Sequence, residues 1–265
     1  GQAPTTVRAN TLKASEDEVV SALQADGFGC ERIGYADGCI KLRGSGSVER
    51  SEAYKKGLVH VQDLSSQICC KVLDAQPGDV VLDMCSAPGG KAFTIAQLMD
   101  NKGEIYAFDL HENRVRLIAR GAKRLGISII KAGTNDAKRF NDSIPQADRI
   151  LCDVPCSGLG VIRRKPEIKY KDSEEFLRLP EIQYEILDTS SKYLKPGGIL
   201  VYSTCTCSRA ENDKVVEEFL SIHSDFEPCP LGKGVQGFEN EYKITITPKN
   251  FGSDGFFIAK LRKLR

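Results

Sequence analysis

The chain has 265 residues, 41% hydrophobic and 28% charged, with 37 basic side chains against 36 acidic ones for a formal charge of +1. That balance excludes a disordered polyelectrolyte, leaves room for one large domain plus a smaller one, and means that any nucleic-acid partner must be gripped by local patches. No apolar run approaches the ~20 residues of a membrane span, so no membrane role is expected. The start Gly1-Gln2-Ala3-Pro4 has neither an initiator Met nor a signal-peptide pattern, so the chain reads as cytoplasmic, cut upstream, with its ten cysteines reduced.

In chain order, Thr6 to Asn10 reads as extended, and Ser15-Glu16-Asp17-Glu18 is a capping box that opens a helix through Val19, Val20, Ala22 and Leu23 to Gly27. Ile33-Gly34-Tyr35 and Cys39 to Leu42 continue as a hairpin edge, followed by the loop Gly44-Ser45-Gly46-Ser47. A small α+β subdomain is predicted over residues 1–53, with a larger unit over 54–265. Leu58 to Gln67 runs from strand into capped helix. Val80 to Asp83 is the first strand of a βαβ series, and Lys91 to Met99 the helix after it. Glu104 to Asp109 is the second strand. Val115, Ile118, Ala122 and Leu125 stripe the next helix. Ile127 to Ala132, Ala147 to Val154 and Gly198 to Cys205 are the third, fourth and fifth strands, with a helix from Ile182 to Leu194 before the fifth. Tyr242 to Thr247 and Gly255 to Leu261 read as an antiparallel closure. This rhythm predicts an α/β fold, a doubly wound, mostly parallel sheet whose ligands bind beyond the C-terminal strand ends at the switch point.

Between the first strand and its helix lies Cys85-Ser86-Ala87-Pro88-Gly89-Gly90-Lys91. Glycines let the backbone approach a ligand closely, and the exposed N–H groups of the helix start can face a carboxylate or phosphate. A small anionic or zwitterionic ligand is expected; an ordinary βα turn is the bland alternative. Asp83, Asp109 and Asp153 end strands, and Asp136 follows the third. Asp109 is placed for a ribose diol with Arg114 as its neighbour, Asp136 for an adenine amine, and Asp153 or Asp83 for an ammonium. Together these are the polar demands of an adenosyl ligand, although any one acid alone could merely cap a helix. The turn lacks the Gly-x-Gly-x-x-Gly spacing of dinucleotide sites. Two thiols join the same edge, Cys156 in Asp153-Val154-Pro155-Cys156-Ser157-Gly158 and Cys205 in Ser203-Thr204-Cys205-Thr206, where adjacent strands bring them together. Arg163-Arg164-Lys165, with Lys169 and Lys171, follows the Cys156 loop and is placed to grip phosphates, against a solvated loop as the alternative. His60, His111 and His223 read as ordinary packing or surface residues.

Four stretches then resemble the RNA (cytosine-5) methyltransferase family that uses S-adenosylmethionine, most closely its bacterial small-subunit ribosomal RNA branch. They are Asp83 to Lys91, Asp153 to Gly158, Ser203 to Thr206 and Asp254-Gly255-Phe256-Phe257-Ile258-Ala259-Lys260-Leu261, with Val61-Gln62-Asp63 and Gly160 to Arg164 as further matches. Ser86 and Ala92 stand where the family commonly has Ala and Thr. The resemblance implies the class I S-adenosylmethionine-dependent methyltransferase fold and methylation of cytosine C5 in RNA, ribosomal or, alternatively, transfer RNA. It also implies a helical NusB-like RNA-binding domain ahead of this region, an RNA-binding accessory role for residues 1–53 and a catalytic domain over 54–265; a monomer is expected. Cytosine C5 is a poor nucleophile, so a thiolate must add at C6 before the ring can attack a methyl group. A thiol titrating near about 8.5 needs a positive neighbour to act at neutral pH, and Lys91 and the sulfonium are the candidates. The residues alone leave Cys156 and Cys205 interchangeable, since DNA cytosine-5 methyltransferases use a Pro-Cys thiol. The resemblance assigns attack to Cys205, base-edge contact near N3 to Asp153 and product release to Cys156. It implies cofactor binding by Cys85 to Lys91, Asp109, Arg114, Asp136 and Asp153.

Rival readings are a four-thiolate zinc site of Cys152, Cys156, Cys205 and Cys207, whose spacing is poor; an amine methyltransferase, which lacks its Pro-Pro-aromatic turn here; and a catalytically inactive RNA-binding module, which intact Cys156 and Cys205 oppose.

Overall fold

The computed structural model describes residues 5–44, 46–164, 166–170 and 173–264. Of the predicted RNA-contacting residues, Lys165 and Lys171 lie outside them, as does the side chain of Lys169.

The small N-terminal sheet is built from β1 (Thr5–Ala9), β2 (Gly29–Arg32), β3 (Cys39–Arg43) and β4 (Val59–Val61), with α1 (Glu16–Ala25) and the short α2 (Glu52–Lys55) between them. The α1 start is the capping box read in the sequence: Ser15 Oγ accepts from Glu18 N, and the Glu18 carboxylate accepts from Ser15 N at 2.8 Å. Val19 and Leu23 on α1 bury against Val7, Ala9, Ile40 and Val59. The strand order is β2-β3-β1-β4, all antiparallel. The small sheet draws its last strand from beyond residue 53, where the N-terminal unit was expected to end. Val59, His60 and Val61 pair with β1, so the small sheet is complete only at Val61. A three-residue edge strand leaves little periodicity to read, and its partner is some fifty residues away.

The second sheet follows α3 (Leu64–Leu73), which is capped by Asp63 through Ser65 N at 3.1 Å. Its elements are β5 (Val80–Asp83), α4 (Gly90–Leu98), β6 (Glu104–Asp109), α5 (Glu112–Leu125), β7 (Ile130–Thr134), β8 (Ala147–Asp153), α6 (Ser173–Ser191), β9 (Leu194–Thr204), α7 (Asp213–Ile222), β10 (Phe226–Pro228), β11 (Lys243–Ile246), α8 (Pro248–Phe251) and β12 (Phe256–Lys263). The order is β10-β12-β9-β8-β5-β6-β7, with β11 also on β12. β5 to β9 run parallel; β12 enters antiparallel beside β9, and β10 and β11 are antiparallel to β12. Alternate residues of β5 feed two apolar layers: Val81 joins Ile68, Ile95 and Ile118 from α3, α4 and α5, whereas Leu82 joins Leu187 and Phe219 from α6 and α7. The sheet is therefore wound on both faces, as expected. Because β6 and β8 flank β5 on opposite sides, the winding reverses there and opens a crevice at the C-terminal ends.

Three bounds differ from the sequence reading. β7 begins at Ile130, because Gly126 caps α5 in the left-handed region and Ile127 to Ile129 cross over to the strand. β9 begins four residues early, and α6 starts at Ser173 and continues through Pro180. The two sheets are tied by Arg8 Nε donating to Gln97 Oε1 at 2.8 Å and by Asn10 Nδ2 donating to Leu125 O at 2.8 Å. His60 is packed at that seam, edge-on to Phe93, and burial pushes its imidazole down to about 3. All ten cysteines are free. Among the described residues no helix is long and apolar enough to cross a membrane.

Candidate active site

The turn after β5 is shaped before it touches any ligand. Gly89 has φ 107°, and a Cβ there would lie 2.6 Å from the Phe93 ring, so only glycine fits. Ser86 N donates to Phe108 O at 2.7 Å, pinning the turn to β6, and Gly89 N donates to Ser86 O at 2.8 Å. Arg114, in the first turn of α5, reaches back to donate to Ala87 O at 2.9 Å while its other nitrogen lies 3.4 Å from Asp109 Oδ2. One guanidinium thus braces the turn and the acid ending β6. Asp109 Oδ1 also accepts from His111 N at 3.2 Å. Asp136, past β7, accepts from Lys138 N at 3.1 Å.

These groups surround a cavity of about 450 Å³, within the range for small-molecule sites. Cys85, Ala87, Asp109, Arg114, Asp136, Asp153, Cys156 and Cys205 all line it. Ser86, Pro88, Gly89, Gly90 and Lys91 do not line it; Pro88 and Gly90 border a separate hollow with His60, Phe93 and Arg124. Asp83 is buried below, neither oxygen met by a donor, and burial pushes its carboxyl up to about 7. Sequence reading missed Asn135, whose buried amide nitrogen has no acceptor, and the apolar wall of Ile182 and Ile186 from α6. Asn135 beside Asp136 in a strand-end loop was the available signal; the α6 wall had none, because it depends on how that helix packs.

At the other end of the cavity, Lys91 Nζ lies 2.7 Å from Asp153 Oδ2, and Ser203 Oγ donates to Asp153 Oδ1 at 2.8 Å. The Lys91 and Asp153 side chains are 14% and 24% exposed. Burial alone would pull Lys91 down, but the Asp153 carboxylate outweighs it and holds the ammonium above its usual range. Cys205 Sγ lies 3.0 Å from Cys156 Sγ, and Cys205 N donates to Cys156 Sγ at 3.2 Å. Donation between the thiols favours one thiolate: it lowers Cys205, against burial and with help from Lys91, and raises Cys156 well above the ordinary value. The Cys205 backbone is fixed by a close crossing, since Gly160 N donates to Cys205 O at 3.0 Å and Gly255 N to Gly160 O at 2.9 Å. A Cβ at Gly160 would lie 2.1 Å from Gly255 O.

Cys152 faces the apolar layer under α6, pushed up to about 12 by burial. Among the described residues no group of three or more His, Cys, Asp or Glu side chains is placed to hold a metal ion.

The basic loop behaves differently from the reading of three phosphate-facing cations. Arg164 donates to Asp63 Oδ1 at 3.0 Å and pairs with Asp254, so its charge is already engaged by two carboxylates. It clasps the Cys156 loop to the start of α3 and the approach to β12. Arg163, beside it, is exposed.

This strand order, with its ligand cavity at the switch point, defines the class I S-adenosylmethionine-dependent methyltransferase fold. The chain belongs to the 16S rRNA methyltransferase RsmB/F family, which it matches over residues 70–262, while residues 1–49 match the ferredoxin-like domain of the RsmF/B-like methyltransferases. The family's cofactor is S-adenosylmethionine. The chain is 43% identical to the probable ribosomal RNA small subunit methyltransferase B of Bacillus subtilis, over 97% of this chain and 59% of that protein. It is 36% identical to the tRNA (cytosine(72)-C(5))-methyltransferase of Pyrococcus horikoshii, over 83% of this chain and 56% of that one. Among solved structures, NSun6 from Pyrococcus horikoshii with SFG superposes with a TM-score of 0.87 at 26% identity, covering 100% of this chain and 91% of that chain. The chain spans 59% of the length of the Bacillus subtilis and Synechocystis small subunit methyltransferase B relatives.

Proposed function

We propose that the chain transfers a methyl group from S-adenosylmethionine to C5 of a cytosine in RNA, small-subunit ribosomal RNA by preference, through a covalent adduct between Cys205 and C6. The observation that carries this reading is the pair of thiols 3.0 Å apart on the rim of an adenosyl-sized cavity, beside the Lys91–Asp153 pair. The cavity suits the cofactor: Asp109 for the ribose diol, Asp136 and the unpaired Asn135 amide toward the adenine, and the Cys85–Lys91 turn for the amino-acid end. S-adenosylmethionine, when bound, supplies the electrophilic methyl.

The protein's own part begins at Cys205. Its thiolate forms a bond to C6, and the C5–C6 π pair shifts into the ring, making C5 nucleophilic. Asp153, oriented by Lys91 and Ser203, meets the base edge near N3 and stabilises the adduct. Once C5 is methylated it still carries its proton. Loss of that proton re-forms the C5–C6 double bond and expels Cys205 as thiolate. Cys156 is suited to take it once its own proton has passed to solvent: the thiol is held high chiefly by its neighbour Cys205, that cause disappears while Cys205 is a thioether, and the Cys156 thiolate then accepts the C5 proton. A transfer RNA substrate is the second reading, favoured by the Pyrococcus horikoshii relative. Either way the chain is read as a monomer working in the cytoplasm.

The test is mass spectrometry of nucleosides after reaction of the chain with labelled S-adenosylmethionine and ribosomal or transfer RNA. Label in 5-methylcytidine is the expected result; label in any other nucleoside overturns the reading. Asp109→Ala should weaken cofactor binding by about 10- to 100-fold, the loss of charged hydrogen bonds in a closed site, as measured by calorimetry. An unchanged Kd would remove Asp109 from the site. Arg163→Glu should weaken RNA binding severalfold and flatten its salt dependence, leaving cofactor affinity unchanged; an unaltered salt slope would exclude the phosphate role.

A further inference from the structure

Glu211 lies between the Cys205 strand end and α7, and it is 3% exposed. A carboxylate that deep is costly to bury unless donors replace its water. Here neutral donors do so. Oε2 accepts from Ser157 N at 2.9 Å and from Gln183 Nε2 at 2.9 Å, and Oε1 accepts from Ser157 Oγ at 2.6 Å. Gln183 Nε2 also donates to Pro155 O at 2.9 Å. The carbonyl before Cys156 and the N–H after it are thus both fixed, one by Gln183 and the other by Glu211.

The same short turn holds the other thiol's loop. Tyr202 Oη donates to the Glu211 carbonyl at 2.5 Å, Asn212 Nδ2 donates to Thr206 O at 2.9 Å, and Thr204 Oγ1 donates to Asn212 Oδ1 at 2.5 Å. Ser157 Oγ lies 3.0 Å from Thr206 Oγ1, bridging the two loops directly. A carboxylate is the one side chain that presents only acceptors, so it satisfies a backbone N–H, a hydroxyl and an amide at once. Glutamine in its place would turn an N–H₂ toward one of those donors.

We infer that Glu211 is a positioning residue for product release: it sets Cys156 at its distance from Cys205, and thereby the step in which the adduct is resolved. The inference rests on the covalent mechanism proposed above. It does not make Glu211 a catalytic residue, because its carboxylate is turned into the protein, away from the cavity.

The test compares wild type, Cys156→Ala, Glu211→Gln and Ser157→Ala, each incubated with S-adenosylmethionine and total RNA from cells lacking this enzyme. Glu211→Gln should cut steady-state turnover by about tenfold or more, keep cofactor affinity by calorimetry within about twofold of wild type, and accumulate a protein–RNA complex that survives denaturing electrophoresis. Ser157→Ala, which removes one donor and leaves the backbone intact, should do the same to a smaller degree. A merely structural role would lower the melting temperature without trapping an adduct. If Glu211→Gln binds cofactor yet turns over normally, or loses activity with no adduct, the inference is overturned. Should Glu211→Gln fail to bind cofactor, Ser157→Ala decides: an adduct supports the inference and its absence overturns it. If Cys156→Ala traps the adduct and the other two variants do not, only this inference fails. If Cys156→Ala itself traps none, the proposed role of Cys156 fails and takes the inference with it.

Discussion

Cys205→Ala is expected to abolish methyl transfer, lowering turnover on the order of 10⁴-fold or more, with no protein–RNA complex formed on the variant. Cys156→Ala gives the opposite signature: it attacks and methylates once, then holds the product as a covalent complex on a denaturing gel. The difference follows from where each thiol stands. Cys205 is the thiol shifted down, chiefly by the hydrogen bond from Cys156 with Lys91 assisting, so of the two it is the one that ionises first and is placed to attack. Cys156 is shifted up by the same contact and is free to ionise only after Cys205 has been consumed. The pH dependence carries the sign. Thiolate is the active form, so adduct formation is lost as pH falls through the lowered Cys205 value. Removing the Cys156 donor should move that ascending limb to higher pH. Single-turnover gels across pH, with the two variants side by side, measure all of this. An adduct on Cys205→Ala but never on Cys156→Ala would exchange the two roles.

The parts of this site that were legible in the sequence are those made by one strand and the turn behind it. Asp109 ends β6 and Cys85 to Lys91 shape the turn after β5 because an apolar run fixes where a strand stops, and the next residues then have nowhere else to go. The parallel sheet followed from the same alternation of short apolar runs with striped helices. What stayed hidden depends on long-range pairing. Arg164 read as a phosphate-gripping cation until Asp63 and Asp254, roughly a hundred and ninety residues apart in sequence, were seen to meet on it. Glu211 sits in the mostly polar run Ser208 to Asp213, where no motif or period singled it out; only the packing of α6 brings Gln183 to it. β4 was read as a strand leading into a capped helix, but its place as the edge of the small sheet is set by pairing with β1 and could not be read locally. Local propensity was a fair guide to elements and a poor one to buried polar partners, which are chosen by the assembled fold.

Lys91→Met is expected to slow adduct formation by about 10²-fold, with a stability loss of about 2 kcal/mol, below the ~3–5 kcal/mol for removing one partner of a fully buried ion pair because Asp153 retains some access to water. Three interactions are lost together. Asp153 keeps only Ser203 Oγ, so its orientation toward a base loosens. Cys205 loses the cation that helps hold it low, so its thiolate fraction at neutral pH falls. The ammonium also leaves the face of Phe256, 5.2 Å from the ring centroid, where β12 begins. The first two effects separate by pH. A lower thiolate fraction is recovered by raising pH, so the Lys91→Met rate should climb toward wild type in alkaline buffer, while the remainder that does not recover reports the misoriented Asp153. Lys91→Arg, which keeps the charge but not the point geometry of an ammonium, should hold the pH limb near its wild-type position and still lose part of the rate. The measurement is the single-turnover rate of adduct formation between pH 6 and 10 for the three proteins, with cofactor affinity measured in parallel to confirm a folded site. A Lys91→Met profile superimposable on wild type would show that Lys91 serves only to neutralise Asp153 in the fold, and that Cys205 is activated by Cys156 alone.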